Sequence, residues 1–135
     1  MHVPSCKHFR GANILYTLRL QDDENILALV SSHHNHPRFK PENLKKNVSL
    51  LDPLISIARE LGCQPAQIAL AWLLSQGDDI VPIPGTKRVQ YLEENIAALN
   101  IHLNPEQIER LNETFKPGVA AGDRYPAGQL KILGR

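Results

Sequence analysis

Apolar residues recur at helical spacing through the middle of this chain. Val48, Leu51, Leu54, Ile55, Ala58 and Leu61 form one stripe. Asp52 followed by Pro53 predicts where that helix opens, with Asp52 as N-cap and Pro53 at the first helical position, where proline's missing N–H is not needed. Gly62 closes it. A second helix is predicted from Pro65 through Gln76, stopping at Gly77, with Ile68, Ala69, Ala71, Trp72 and Leu73 on a broad apolar face. Trp72 reads as a core anchor whose indole N–H needs a partner. Asn104-Pro105-Glu-Gln107 predicts another helix start: asparagine caps, proline takes the first position and Gln107 completes a capping box. Ile108, Leu111 and Phe115 are its expected buried stripe. Between these helices, Ile80-Val-Pro-Ile83 lacks polar alternation and reads as a short strand covered on both faces. Pro82 opposes that reading, because it removes a ladder donor. Pro84-Gly85 then turns the chain, and a helix is expected from about Val89 to Leu99 with Leu92, Ile96 and Leu99 facing inward.

The amino-terminal part is less regular. Residues 1–36 carry a candidate strand, Asn13 to Leu20, and a second apolar run, Asn25 to Ser31, separated by Asp22-Asp23-Glu24. They form a hairpin, or the second run is a short helix; length does not decide between these. A polar stretch from Ser31 to Pro37 follows. The chain thus divides into an atypical segment, 1–36, and a regular region, 37–135.

Composition narrows the function classes. A chain of 135 residues makes about one domain, and 42% hydrophobic residues suffice for a core. A formal charge of +1 argues against nucleic acid as the main partner. No apolar run reaches membrane-spanning length, and the start lacks a signal-peptide pattern. Cys6 and Cys63 suggest no disulfide framework, so a reducing, cytoplasmic setting is expected. His33, His34 and His36, like His2 and His8 near Cys6, lack the separated spacing of a zinc site, so no metal is assigned.

The candidate chemistry lies after the short strand. Gly85 allows close backbone approach to a ligand, Thr86 offers a hydroxyl, Lys87 a compact charge and Arg88 a forked one. The free N–H groups of the next helix favour anions. The same residues suit an ordinary solvated basic turn. Glu94 and Asn95, two turns further on, are either recognition groups or ordinary surface residues.

Five landmarks occur in order: Pro37-Arg-Phe-Lys-Pro-Glu-Asn43, Pro65-Ala-Gln-Ile-Ala-Leu-Ala-Trp72, Ile80-Val-Pro-Ile-Pro-Gly-Thr-Lys-Arg88, Tyr91-Leu-Glu-Glu-Asn95 and Gly122-Asp-Arg-Tyr-Pro126. Together they resemble the carboxyl-terminal third of bacterial-type, NADP-dependent aldo-keto reductases. The resemblance implies an α/β fold, here part of a (β/α)8 TIM barrel. It implies that Gly85, Thr86, Lys87 and Arg88 meet the 2′-phosphate of NADP(H), and that Glu94 and Asn95 meet its adenine end. Where the family carries an arginine between turn and pair, the nearest position here holds Tyr91.

The family's activity is NADPH-dependent reduction of aldehydes and ketones by an aspartate, tyrosine, lysine and histidine tetrad. Lys7, Tyr16 and the histidines before Pro37 do not stand in the tetrad's sequence context, so no catalytic residue is assigned. A truncated homologue, inactive in isolation, is expected. The alternatives are a non-catalytic module completing a partner's barrel, or a gene remnant. Helices without their sheet would leave Leu51, Leu54, Ile68, Trp72 and Leu73 on an exposed apolar patch.

Overall fold

A computed structural model describes residues 36–123, Tyr125, Pro126 and Gly128. Both amino-terminal strand candidates lie outside the described residues. A 3-10 turn, Pro37–Phe39, leads into α1 (Pro41–Ser49), α2 (Asp52–Leu61), α3 (Pro65–Leu74), α4 (Val89–Ala97), a 3-10 turn Ala98–Asn100, and α5 (Pro105–Thr114).

No strand occurs among the described residues, which corrects the expectation of a partial (β/α)8 TIM barrel: the described architecture is all-helical. The candidate strand shows why. Ile80–Ile83 lies in a stretch without regular structure, and exposure alternates along residues 81–86, as in an extended chain. Yet Val81 is 72% and Ile83 87% exposed. Strand identity comes from ladder bonds to a neighbour, and proline at position 82 removes one donor. No neighbour is present among the described residues.

The core forms by helix-on-helix packing. α2 contributes Leu54, Ile57 and Ala58, with Leu51 just before it. α3 contributes Ile68, Ala69, Trp72 and Leu73, and α5 contributes Leu111 followed by Phe115. The expected exposed patch is therefore absent: Leu51, Leu54, Ile68, Trp72 and Leu73 are all buried. Every residue from Ile68 to Leu73 is buried, so α3 is covered all round, as a central helix must be. Trp72 and Phe115 pack with ring centroids 5.6 Å apart. The indole N–H donates to Asn112 Oδ1 at 2.9 Å, the partner that the buried tryptophan requires.

The helix ends follow local chemistry with one shift. Gly62 closes α2 in the left-handed conformation at φ 67°. The amino end of α2 lies one residue earlier than expected. Leu51 holds the N-cap position in αR conformation without a side-chain cap, and the Ile55 N–H donates to the Leu51 carbonyl at 2.9 Å. Leu50 is also αR, so the chain winds almost continuously from α1 into α2. Gln64 and Gln67 build a capping box at α3, and Asn104 and Gln107 another at α5. Asn104 Oδ1 accepts the Gln107 N–H at 2.8 Å. Asn104→Ala is expected to lower stability by about 1 kcal/mol, measured as a shifted urea midpoint with unchanged slope.

Asn47 joins α1 to the chain beyond α5. Its Nδ2 donates to the carbonyls of Arg38 at 3.1 Å and Ala121 at 3.0 Å, and its Oδ1 accepts the Ala121 N–H at 2.8 Å. Gly122 makes this approach possible. Its φ is +82°, and a Cβ there would lie 2.6 Å from Asn43 Nδ2 and 2.8 Å from the Pro37 carbonyl oxygen. Gly122→Ala combines left-handed strain with a clash. Exchange of the Ala121 amide is expected to accelerate about tenfold, while amides of α3 keep their protection.

Candidate functional site

α4 positions the candidate residues on the edge of the bundle. Gln67 Nε2, on α3, donates to the Glu94 carbonyl at 2.9 Å and ties the two helices together. The sequence reading missed this residue, although the Gln64–Gln67 spacing before α3 marks it as a capping glutamine. Ala98, in the turn after α4, is buried, whereas Leu92, Ile96 and Leu99 are 48%, 55% and 63% exposed. The expected inward face of this helix is thus its outward face. α4 meets α3 through the opposite side, which carries Tyr91, Asn95 and Ala98 at helical spacing.

The turn before α4 is open. Gly85 is exposed, and a Cβ there would meet nothing within 4 Å. Thr86 Oγ1 donates to the Arg88 carbonyl at 3.0 Å and accepts the Arg88 N–H at 3.4 Å, fixing a local turn. Arg88 occupies the N-cap position with extended backbone, φ −123° and ψ 138°, and no side chain caps the helix. No acidic residue lies in the first turn either. The Arg88 side chain thus does not cap the leading N–H groups of α4, which lie at the positive end of the helix dipole. Arg88 lies over the Tyr91 ring, its guanidinium carbon 5.7 Å from the centroid. Neither Lys87 nor Arg88 pairs with a carboxylate among the described residues; the ion pairs there are Arg110–Glu60 and Lys116–Glu113.

Glu94 and Asn95 differ in how far they are engaged. Glu94 Oε1 accepts from Gln90 Nε2 at 3.1 Å. Asn95 Nδ2 is buried and has no hydrogen-bond partner among the described residues. Burying an amide donor without a partner costs about 1–3 kcal/mol, so this atom stands out. Arg88 and Asn95, seven residues apart, lie on one side of α4 at a rise of roughly 10 Å.

Other chemistry is sparse. Burial pushes the Cys63 thiol above its ordinary value, which keeps it neutral and a poor nucleophile near pH 7. Among the described residues no three His, Cys, Asp or Glu side chains converge as a metal site, and no helix is long and apolar enough to cross a membrane. Lys7, Tyr16, His2, His8, His33 and His34 lie outside the described residues, as does Arg124 of the last landmark.

This arrangement of turn, helix start and polar pair occurs within a stretch of recognisable ancestry. The sequence profile of the Aldo/keto reductase family matches residues 17–116. The chain belongs to the aldo-keto reductase family. It is 47% identical over 92 residues to the aldo-keto reductase yakc of Schizosaccharomyces pombe, a protein designated for NADP(+), covering 68% of this chain and 27% of that protein. It is 43% identical over 98 residues to probable aldo-keto reductase 1 of Glycine max, covering 73% of this chain and 28% of that protein. The chain thus matches little more than a quarter of the length of these relatives. The family match also begins at residue 17, inside the segment that the sequence pattern sets apart as atypical.

Proposed function

We propose that this chain carries the site for the phosphate end of NADP(H) in an aldo-keto reductase. Gly85, Thr86, Lys87 and Arg88 receive the 2′-phosphate, and Glu94 and Asn95 take the adenine end. Residues 37–135 are the functional unit, corresponding to the carboxyl-terminal third of a bacterial-type family member working in the cytoplasm. The observation that carries this reading is the buried Asn95 Nδ2, without a hydrogen-bond partner among the described residues, on the same helix as an amino terminus with no side-chain cap, beside two cations that pair with no carboxylate there.

Each part has a distinct task. Lys87 and Arg88 supply charge-assisted hydrogen bonds to a phosphate, and the uncapped N–H groups of α4 add a local positive field. Thr86 holds the turn so that both cations leave it from adjacent positions. Asn95 Nδ2 donates to a ring nitrogen of adenine, satisfying the orphaned donor, while Glu94 keeps one carboxylate oxygen for the exocyclic amine. The coenzyme, when bound, supplies hydride to an aldehyde or ketone; residues 37–135 bind and orient its far end and take no part in proton transfer.

Two measurements follow. On titration with NADPH, the amide resonances of Thr86 to Gln90 and the side-chain amide of Asn95 are expected to move together, and NADH should shift the turn resonances far less. Unmoved Asn95 signals at saturating NADPH would reject the adenine contact. Purified residues 1–135 alone are expected to show no carbonyl-dependent NADPH oxidation, because turnover needs coenzyme, proton donor and substrate held together. Activity that persists through further purification would show that the chain contains a proton donor.

A further inference from the structure

Arg88 is held at its backbone and at its side chain, and its neighbour Lys87 is not. The Arg88 carbonyl accepts the Thr86 hydroxyl at 3.0 Å and the Leu92 N–H at 3.2 Å, which fixes the backbone at the entry to α4. An extended N-cap residue stands outside the helical repeat, so the helix does not itself set the direction of its side chain. The ring of Tyr91 does. The guanidinium carbon lies over that ring, 5.7 Å from the centroid, within the ~6 Å at which the negative face of an aromatic ring attracts a cation. Tyr91 is half-buried on the side of α4 that meets α3, whereas Arg88 is exposed. The contact therefore ties a solvent-exposed cation to a platform anchored by the bundle. The Lys87 side chain is exposed and makes no hydrogen bond, ion pair or ring contact among the described residues.

We propose that Tyr91 is a positioning residue for recognition of the 2′-phosphate of NADP(H). Its ring holds the Arg88 guanidinium in place before the coenzyme arrives, and this makes Arg88 the stronger discriminator of the two cations. The inference rests on the reading of the turn as a phosphate site. Binding a phosphate orders a long side chain, and the rotamer freedom lost opposes affinity; a guanidinium that already rests on a ring loses less. The two contacts are compatible, because arginine stacks through its face and donates to oxygen acceptors through its N–H edge. Lys87 has no such platform and is ordered only on binding. A nucleotide without the 2′-phosphate does not engage Arg88. Loss of the Tyr91 ring therefore acts on the difference between the two kinds of ligand rather than on both.

Calorimetric titration of the full chain with 2′,5′-ADP and with 5′-ADP, in parent and variants, tests this. Tyr91→Leu should lower the ratio of the two affinities about three- to fivefold, through weaker binding of 2′,5′-ADP alone. Tyr91→Phe should keep the parent ratio, because the ring face and not the hydroxyl holds the guanidinium. In an Arg88→Ala background Tyr91→Leu should lower the ratio no further, since the residue acts through Arg88. Circular dichroism of each variant checks that the helices persist. Proton resonance spectra of the folded parent chain give a readout that needs neither variant nor ligand. The Arg88 side-chain signals should lie upfield of their unfolded positions, shifted by the ring current of Tyr91. Arg88 signals without that shift overturn the proposal. So does a ratio that Tyr91→Leu leaves unchanged, or one that Tyr91→Phe lowers as much as Tyr91→Leu. A parent chain that binds the two nucleotides equally overturns the phosphate site and this inference together. A parent preference that survives Tyr91→Leu overturns only the role of Tyr91.

Discussion

Trp72→Ala is expected to lower the unfolding free energy by about 3–5 kcal/mol, the usual range for deleting a buried tryptophan side chain. Domains of this size are stable by only about 5–15 kcal/mol, so this one change is expected to shift the urea midpoint strongly or unfold the chain at 37 °C. Trp72 is 1% exposed and sits on the central helix. Its ring packs on Phe115, and its indole N–H reaches Asn112 across the bundle. The residue thus joins α3 to α5 by both area and a hydrogen bond. Trp72→Phe separates the two contributions: it keeps an aromatic ring and loses the hydrogen bond, for an expected loss of about 1–2 kcal/mol. Because Trp72 is the only tryptophan, unfolding must be followed by far-ultraviolet circular dichroism. A loss below about 1 kcal/mol for the alanine variant would mean that the bundle does not depend on this contact.

The double variant Lys87→Ala, Arg88→Ala is expected to weaken NADPH binding on the order of a hundredfold while leaving NADH binding nearly unchanged. Hydrogen bonds to charged groups contribute roughly 1.5–3 kcal/mol each, and about 3 kcal/mol for the pair corresponds to that factor. The turn is exposed, so the lower end of the range applies. Exposure also means that salt screens the contact; the preference for NADPH should shrink between low and high ionic strength as the Debye length falls from ~30 Å to ~3 Å. Neither cation touches the core, so the urea midpoint of the double variant should match that of the parent chain.

Features set by short-range interactions were legible in the sequence, and those set by packing between distant segments were not. The Asn104–Gln107 capping box was legible because its atoms lie within one turn of one another. Gly62 as a helix end and Trp72 as an anchor with a hydrogen-bonding tip were legible for the same kind of reason, since each follows from a single residue's chemistry. The sheet was a different matter. Ile80–Ile83 has strand composition, but a strand exists only with a partner, and composition does not supply one. Helical periodicity likewise identified the stripes without saying what covers them. Leu51, Leu54, Ile68, Trp72 and Leu73 looked like faces awaiting a sheet, and they cover one another instead. Leu92, Ile96 and Leu99 looked like an inward stripe, and they face out because Gln67 and Ala98 fix α4 by its other side. Of the candidate site, the cationic turn and the helix start were legible as neighbours in sequence. The orphaned Nδ2 of Asn95 was not, because burial of one amide depends on how α4 sits against α3.

The most direct test of the phosphate site uses only the end of the coenzyme that it is proposed to hold. Calorimetric titration of the folded chain with 2′,5′-ADP and with 5′-ADP compares two ligands that differ in the 2′-phosphate. Binding of 2′,5′-ADP at least about tenfold tighter than 5′-ADP, with competition by NADPH, is the result expected from two charge-assisted contacts to that group. Equal affinity for the two nucleotides would contradict a phosphate site at Thr86, Lys87 and Arg88.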